Sequence, residues 1–214
     1  MANQEFESKL KGLMGDRNLR PFVCEGSPMD CKVFIVGSNP ATEMSQSFWS
    51  FWSSETGFNK KAWFEAYKKE RALKPLEPDK TRRNSLSNTR QRIEWIVEAA
   101  HPIKCLETNL YGKATEEAKA LSKSEQDSSI FEFLIQEVRP TVMLLHGKAS
   151  CQYVKDRYAK ELIDCHQIKP GMYNVTEVSI NYRQTTVITA ASLAYGWSQD
   201  NTRKLGEKLR EICI

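Results

Sequence analysis

No apolar run in this 214-residue chain approaches the roughly 20 residues that a membrane-crossing helix needs, so no such span is expected. The amino terminus, Met1 to Glu7, lacks the basic and then apolar layout of a secretory signal, and the chain reads as cytoplasmic. Its six cysteines (Cys24, Cys31, Cys105, Cys151, Cys165, Cys213) include no Cys-x-x-Cys pair and read as free thiols, some of them small core residues. Wide spacing argues against an iron–sulfur cluster, and the three histidines are scattered. No metal and no cofactor are therefore expected. Internal repeats are absent, as is any composition shift that would mark a second domain. The expectation is one domain over residues 1–214, large enough to bury its own core and read as a monomer.

Net charge is also scarce, at +4, but it is unevenly placed. Between Lys60 and Arg92 eleven lysines and arginines face four acids, an excess of seven, which leaves the remainder slightly acidic. A basic segment on a near-neutral body is the electrostatic footprint of a phosphate-backbone binder; a solvated helix face would look similar.

What the sequence does have is an abrupt corner. Val33 to Val36 is a short, wholly apolar, β-branched and aromatic run, the pattern of a strand covered on both faces. Gly37 ends it, Pro40 forbids its continuation, and Asn39 is pushed toward an extended or turn geometry by the proline that follows. A polar side chain is thereby held at the carboxyl end of a central strand, where open α/β sheets place their ligands. An ordinary strand-to-loop turn would carry the same residues.

Further along, a short helix is expected over residues 5–13. Phe48, Trp49, Phe51 and Trp52 crowd together, and Trp63, Phe64 and Tyr67 lie on a charged helix; such density suits a core or a stacking platform. Leu73 to Asn88 reads as a basic loop, so that residues 43–92 form a basic, aromatic-rich insertion. A helix over 89–100 presents Ile93, Ile96, Val97 and Ala100, and Arg90 and Arg92 near its positive end suit an anion better than the helix dipole. Strands follow at 103–109 and 141–145, with a helix between them capped by Asp127 or Ser128. Strand segments at 175–180 and 185–189 flank Asn181-Tyr182-Arg183, and a last helix carries Leu205, Leu209 and Ile212. Alternating strands and helices predict an α/β fold: a three-layer α/β/α sandwich about a central four-stranded parallel sheet.

In family order, Gly37-Ser38-Asn39-Pro40, Phe48-Trp49 with Gly57-Phe58, Thr108-Asn109-Leu110, and Pro140 to Leu145 with Gly147-Lys148-Ala149 make the chain resemble the uracil-DNA glycosylase superfamily. It is most similar there to the Gly-x-Asn-Pro mismatch-specific and single-strand-selective branches. The final His-Pro-Ser or Asn-Pro-Ser motif is replaced by Thr189-Ala190-Ala191-Ser192, so the histidine that would stabilise a departing base anion is missing.

The resemblance implies a metal-free monofunctional DNA glycosylase that breaks an N-glycosidic bond in single- or double-stranded DNA and leaves an abasic site. Asn39, beside Ser38, matches the water-orienting position; an amide can hold water by accepting a hydrogen bond, although an Asx turn is its alternative role. Gly37, Ala41, Phe48 and Asn109 match the base-binding positions, with Phe48 stacking and Asn109 reading the pyrimidine edge. The small Ala41 implies room for a 5-substituent. Arg82, Arg83, Arg90, Arg92, Lys148 and Ser192 are candidate phosphate contacts, and Leu193 and Tyr195 occupy the place of a DNA-inserting wedge. His146 reads as a structural strand-end residue. Rival readings are a glycosylase specialised for bulky modified pyrimidines in foreign or phage DNA, a non-catalytic lesion binder, and a nucleotide or small-molecule enzyme on the same sheet.

Overall fold

The structure, a computed structural model, describes residues 2–76, 81, 83–115 and 118–214. Helix α1 (Ala2–Met14) leads into strands β1 (Phe22–Val23) and β2 (Val33–Gly37). A small pair, β3 (Trp52–Ser53) and β4 (Gly57–Phe58), precedes helices α2 (Lys60–Leu73) and α3 (Asn88–Ala100). Then come β5 (Cys105–Asn109), α4 (Ser129–Val138), β6 (Val142–Leu145) and α5 (Lys148–Tyr158). The hairpin β7 (Tyr173–Ile180) and β8 (Arg183–Ala190) and helix α6 (Gln199–Cys213) complete the chain.

The sheet has six strands in the order β1-β5-β2-β6-β8-β7. Its four inner strands are parallel, and β1 and β7 pair antiparallel at the two edges. The expected four-stranded parallel sheet is thus corrected to a mixed six-stranded one. The reason is local at each edge. Phe22-Val23 is too short to read as a strand, and β7 reaches β8 through two residues, a connection open only to antiparallel neighbours.

Side-chain alternation divides the core into two. Val33 and Ile35 of β2 point to one face, against Ile93 and Ile96 of α3 and Leu205 and Leu209 of α6. Phe34 and Val36 point to the other, against Phe6 and Leu10 of α1, Leu134 of α4 and Val154 of α5. Helices therefore cover both faces, which is why every residue of β2 is buried. The chain reaches β5 from β2 by way of α3 and reaches β6 from β5 by way of α4, on opposite faces. This reversal opens a crevice beyond the carboxyl ends of β2 and β6.

Side-chain caps hold the helix starts. Ser87 accepts from Arg90 N at 3.2 Å, Asn59 from Ala62 N at 2.9 Å and Ser198 from Asn201 N at 3.1 Å. At α4 it is Asp127 that caps, accepting from Ser129 N at 2.9 Å. The free-thiol expectation is corrected for one pair: Cys151 and Cys165, with Cα atoms 6.2 Å apart, are joined as a disulfide. Cys24, Cys31, Cys105 and Cys213 are free. No helix among the described residues is long and apolar enough to cross a membrane.

Candidate active site

The corner after β2 is clamped from both sides. Leu110 N and Tyr111 N, just past β5, donate to Gly37 O and Ser38 O at 3.0 Å each, and His146 N donates to Val36 O at 3.1 Å. Three strand ends meet so closely that side chains must be omitted. A Cβ on Gly37 would stand 2.6 Å from Asn109 Oδ1 and 3.3 Å from His146 Cε1. One on Gly147 would stand 2.5 Å from Ser38 Oγ. Close approach requires glycine at Gly147, where a Cβ would also stand 2.7 Å from the backbone Ser38 N, whereas at Gly37 it would displace the Asn109 amide.

These ends line a cleft of about 300 Å³ together with Ser38, Asn39, Ala41, Ser192 and Ala194. Within it Asn39 is oriented by its own donor: Nδ2 donates to Thr115 O and Thr115 Oγ1, both at 2.8 Å, and to Pro40 O at 3.2 Å. With the NH2 group engaged, Oδ1 is the polar atom left to act as an acceptor. Asn109, nearly buried at the end of β5, contributes a second amide. His146 is buried, and desolvation pulls its pKa down to about 4 although Glu107 opposes the shift, so the ring is neutral at pH 7.

One wall of the cleft is charged. Arg90, only 4% exposed, forms a bidentate pair with Glu107, its Nη2 donating to Oε1 at 2.5 Å and its Nη1 against Oε2. Arg20 Nη2 lies 3.6 Å from the same carboxylate, and both guanidinium groups sit over the Trp63 ring, at 4.8 Å for Arg90 and 5.7 Å for Arg20. Glu94 bridges Arg90 and Lys60 at 3.2 and 2.7 Å. Burial would raise the Glu107 pKa, but Arg90 and then Arg20 outweigh it and hold the carboxylate ionised. For Arg20 burial prevails over Glu107 and lowers its pKa to about 10, still well above neutrality. Three cations thus face two carboxylates, and the surplus positive charge stands at the cleft. Arg20 carries it least compensated, since it makes no side-chain hydrogen bond among the described residues and touches Glu107 only beyond hydrogen-bond range.

Of the residues singled out in the sequence, Gly37, Ser38, Asn39, Ala41, Asn109, Arg90 and Ser192 line this cleft. Others are placed elsewhere. Phe48 does not line it: 5% exposed, it stacks on Phe58 at 5.2 Å and meets Phe22 edge-on at 5.0 Å, because the tight turn before β3 folds its aromatics inward. Arg90 is committed to Glu107 rather than to a phosphate. Arg92 donates to Leu193 O at 2.6 Å and Trp197 O at 3.2 Å, so it secures the loop after β8. Leu193 is fully buried among α3 and α6 residues and cannot act as a wedge; Tyr195, two residues on, is 76% exposed. Lys148 is exposed at the start of α5, next to Gly147 but not itself lining the cleft, and Arg83 donates to Pro75 O. Arg82 lies outside the described residues.

Sequence reasoning missed Arg20, Tyr67, Ser87, Thr89 and Glu107 as cleft residues. Glu107 carried a signal: a carboxylate inside an apolar strand, between Leu106 and Thr108, demands a buried cation. Arg20 carried none, since its neighbours in sequence read as a connecting segment. Among the described residues no group of three or more His, Cys, Asp or Glu could hold a metal ion. Compared with protein-family models and with curated proteins, the chain matches none.

Proposed function

We propose that the chain is a DNA glycosylase that hydrolyses the N-glycosidic bond of a damaged, mismatched or modified base, on a three-layer sheet resembling the uracil-DNA glycosylase superfamily. The observation that carries this reading is the oriented amide of Asn39, its donors held by Thr115 and its acceptor left over, in a cleft shared with Asn109 and Arg20. A flipped base sits in the cleft with its pyrimidine edge on Asn109, whose amide offers one donor and one acceptor. Water held by Asn39 Oδ1 attacks C1′ as the C1′–N bond breaks with its electron pair on the base. Because an amide cannot take the proton, the attacking water releases it to solvent or to the departing base. Arg20 supplies the positive charge that favours the base anion, in the role left empty by the missing histidine. Ala41, with only a methyl at the cleft, leaves space for a 5-substituent, which supports modified pyrimidines among the substrates.

A second reading has its own support. The cleft is at the small end of the range for ligand pockets, Leu193 is buried, and Arg90 and Arg92 are engaged internally, so a free nucleoside suits it as well as a strand does. Base release from labelled single- and double-stranded oligonucleotides carrying uracil, mismatched thymine, hypoxanthine or 5-modified cytosines, and from the corresponding free nucleosides, tests both. Release is expected from at least one strand substrate and should fall at least 100-fold in Asn39→Ala. Release of base from free nucleosides alone would establish the second reading, and tight DNA binding with no release from any substrate would leave a lesion binder.

A further inference from the structure

A cavity larger than the cleft lies elsewhere among the described residues. About 480 Å³ opens at the opposite end of the sheet, where α4 ends, β6 begins and the β7–β8 hairpin turns. Its floor is apolar: Ile135, Met143 and Ile180 are each nearly or fully buried. Its rim holds Arg139, Arg183 and Tyr182, and among the described residues no carboxylate lines it.

The rim is unusual in two respects. Neither arginine has an acidic partner among the described residues; Arg139 donates only to Gln136 O at 3.1 Å through Nε, which leaves its two terminal nitrogens. The hairpin turn also places both central residues at positive φ, Asn181 at 49° and Tyr182 at 63°. Such turns favour Asn-Gly, and the second position here carries a bulky aromatic in the left-handed region, with its side chain fully exposed. Local strain of this kind persists where the residue has a use beyond the turn, and an exposed ring beside two unpaired guanidinium groups is the equipment for stacking a base and pairing a phosphate.

We propose that this cavity binds a nucleoside 5′-phosphate unit, its base against Tyr182 and its phosphate between Arg139 and Arg183, whether the unit is a free nucleotide or the 5′ end of a strand. The proposal is independent of what the cleft does. The test is calorimetric titration of the full chain with dAMP, deoxyadenosine, inorganic phosphate and a 5′-phosphorylated tetranucleotide. The same titrations are made with Tyr182→Gly, with Arg139→Gln/Arg183→Gln, and with Asn109→Ala as a control for binding in the cleft.

Saturable dAMP binding is expected, at least ten-fold tighter than binding of the nucleoside or of phosphate. It should weaken at least ten-fold in Tyr182→Gly and in the arginine double variant and be unchanged in Asn109→Ala. Tyr182→Gly relieves the turn and should melt no lower than the parent, so its loss of binding is not loss of fold. Tighter binding of the tetranucleotide with the same dependence would identify a strand end as the source, and weaker binding a free nucleotide. The proposal is overturned if the parent shows no saturable dAMP binding at millimolar concentration, or if binding survives both rim variants.

Discussion

Single side chains at the cleft are set by their surroundings more than by their own chemistry. An asparagine is an ambiguous residue until its donors are accounted for; Thr115 accounts for them and turns Asn39 into an acceptor. Phe48 lost its expected place for the opposite reason, because a planar apolar ring gains more from Phe22 and Phe58 than from solvent. His146 gives a prediction with a sign. Its folded pKa of about 4 lies below the ordinary value of 6.5, so between these the unfolded chain binds the extra proton. Stability is full above about pH 6.5, declines as pH falls toward 4 and loses its dependence on this group below that. The decline amounts to roughly 3 kcal/mol at most. Denaturant unfolding of the parent and of His146→Gln from pH 4 to 8 should show a clearly flatter slope in the variant; equal slopes would mean that the imidazole titrates in the folded chain as it does in the unfolded one.

Among the elements, helix α3 is tied in two directions. Its first two turns carry Arg90, which binds β5 through Glu107, and Arg92, which holds the carbonyls of Leu193 and Trp197 after β8. Arginines that looked ill-suited to the positive end of a helix are there for partners distant in sequence, and the helix dipole is a small term beside a buried ion pair. Removing one partner of such a pair leaves the other charge buried, so Glu107→Ala should cost about 3–5 kcal/mol in equilibrium unfolding. The Glu107→Leu/Arg90→Met double variant should recover part of that; a loss below about 1 kcal/mol in the single variant would show that water reaches the pair. The helix itself was legible from the apolar stripe of Ile93 and Ile96, although its cap, Ser87, reads in sequence as part of the preceding loop. The partners of its arginines were not, because no local pattern encodes them.

At the scale of the whole molecule, charge that looked like one basic surface is divided between the surface and partners inside the fold. Lys60 pairs with Glu94, Lys68 with Glu65, and Arg90 and Arg92 are consumed by the fold, while Lys61 and Lys69 are exposed. Binding of a single-stranded 12-mer should therefore weaken with salt at a log–log slope no steeper than about −3, against roughly −8 if all eleven basic residues met phosphates. Anisotropy titrations at several NaCl concentrations measure it, and a slope beyond about −6 would restore the continuous patch. By itself the sequence determined what depends on neighbours along the chain: the two-faced burial of β2, the corner forced by Gly37 and Pro40, the cap before α4 and the α/β alternation. Only the tertiary structure decided the antiparallel edges, the burial of Leu193, the Cys151–Cys165 pairing and the Arg20–Glu107–Arg90 wall. Those depend on which distant surfaces meet, and a buried charge or an apolar side chain takes whatever partner the packed sheet brings within reach.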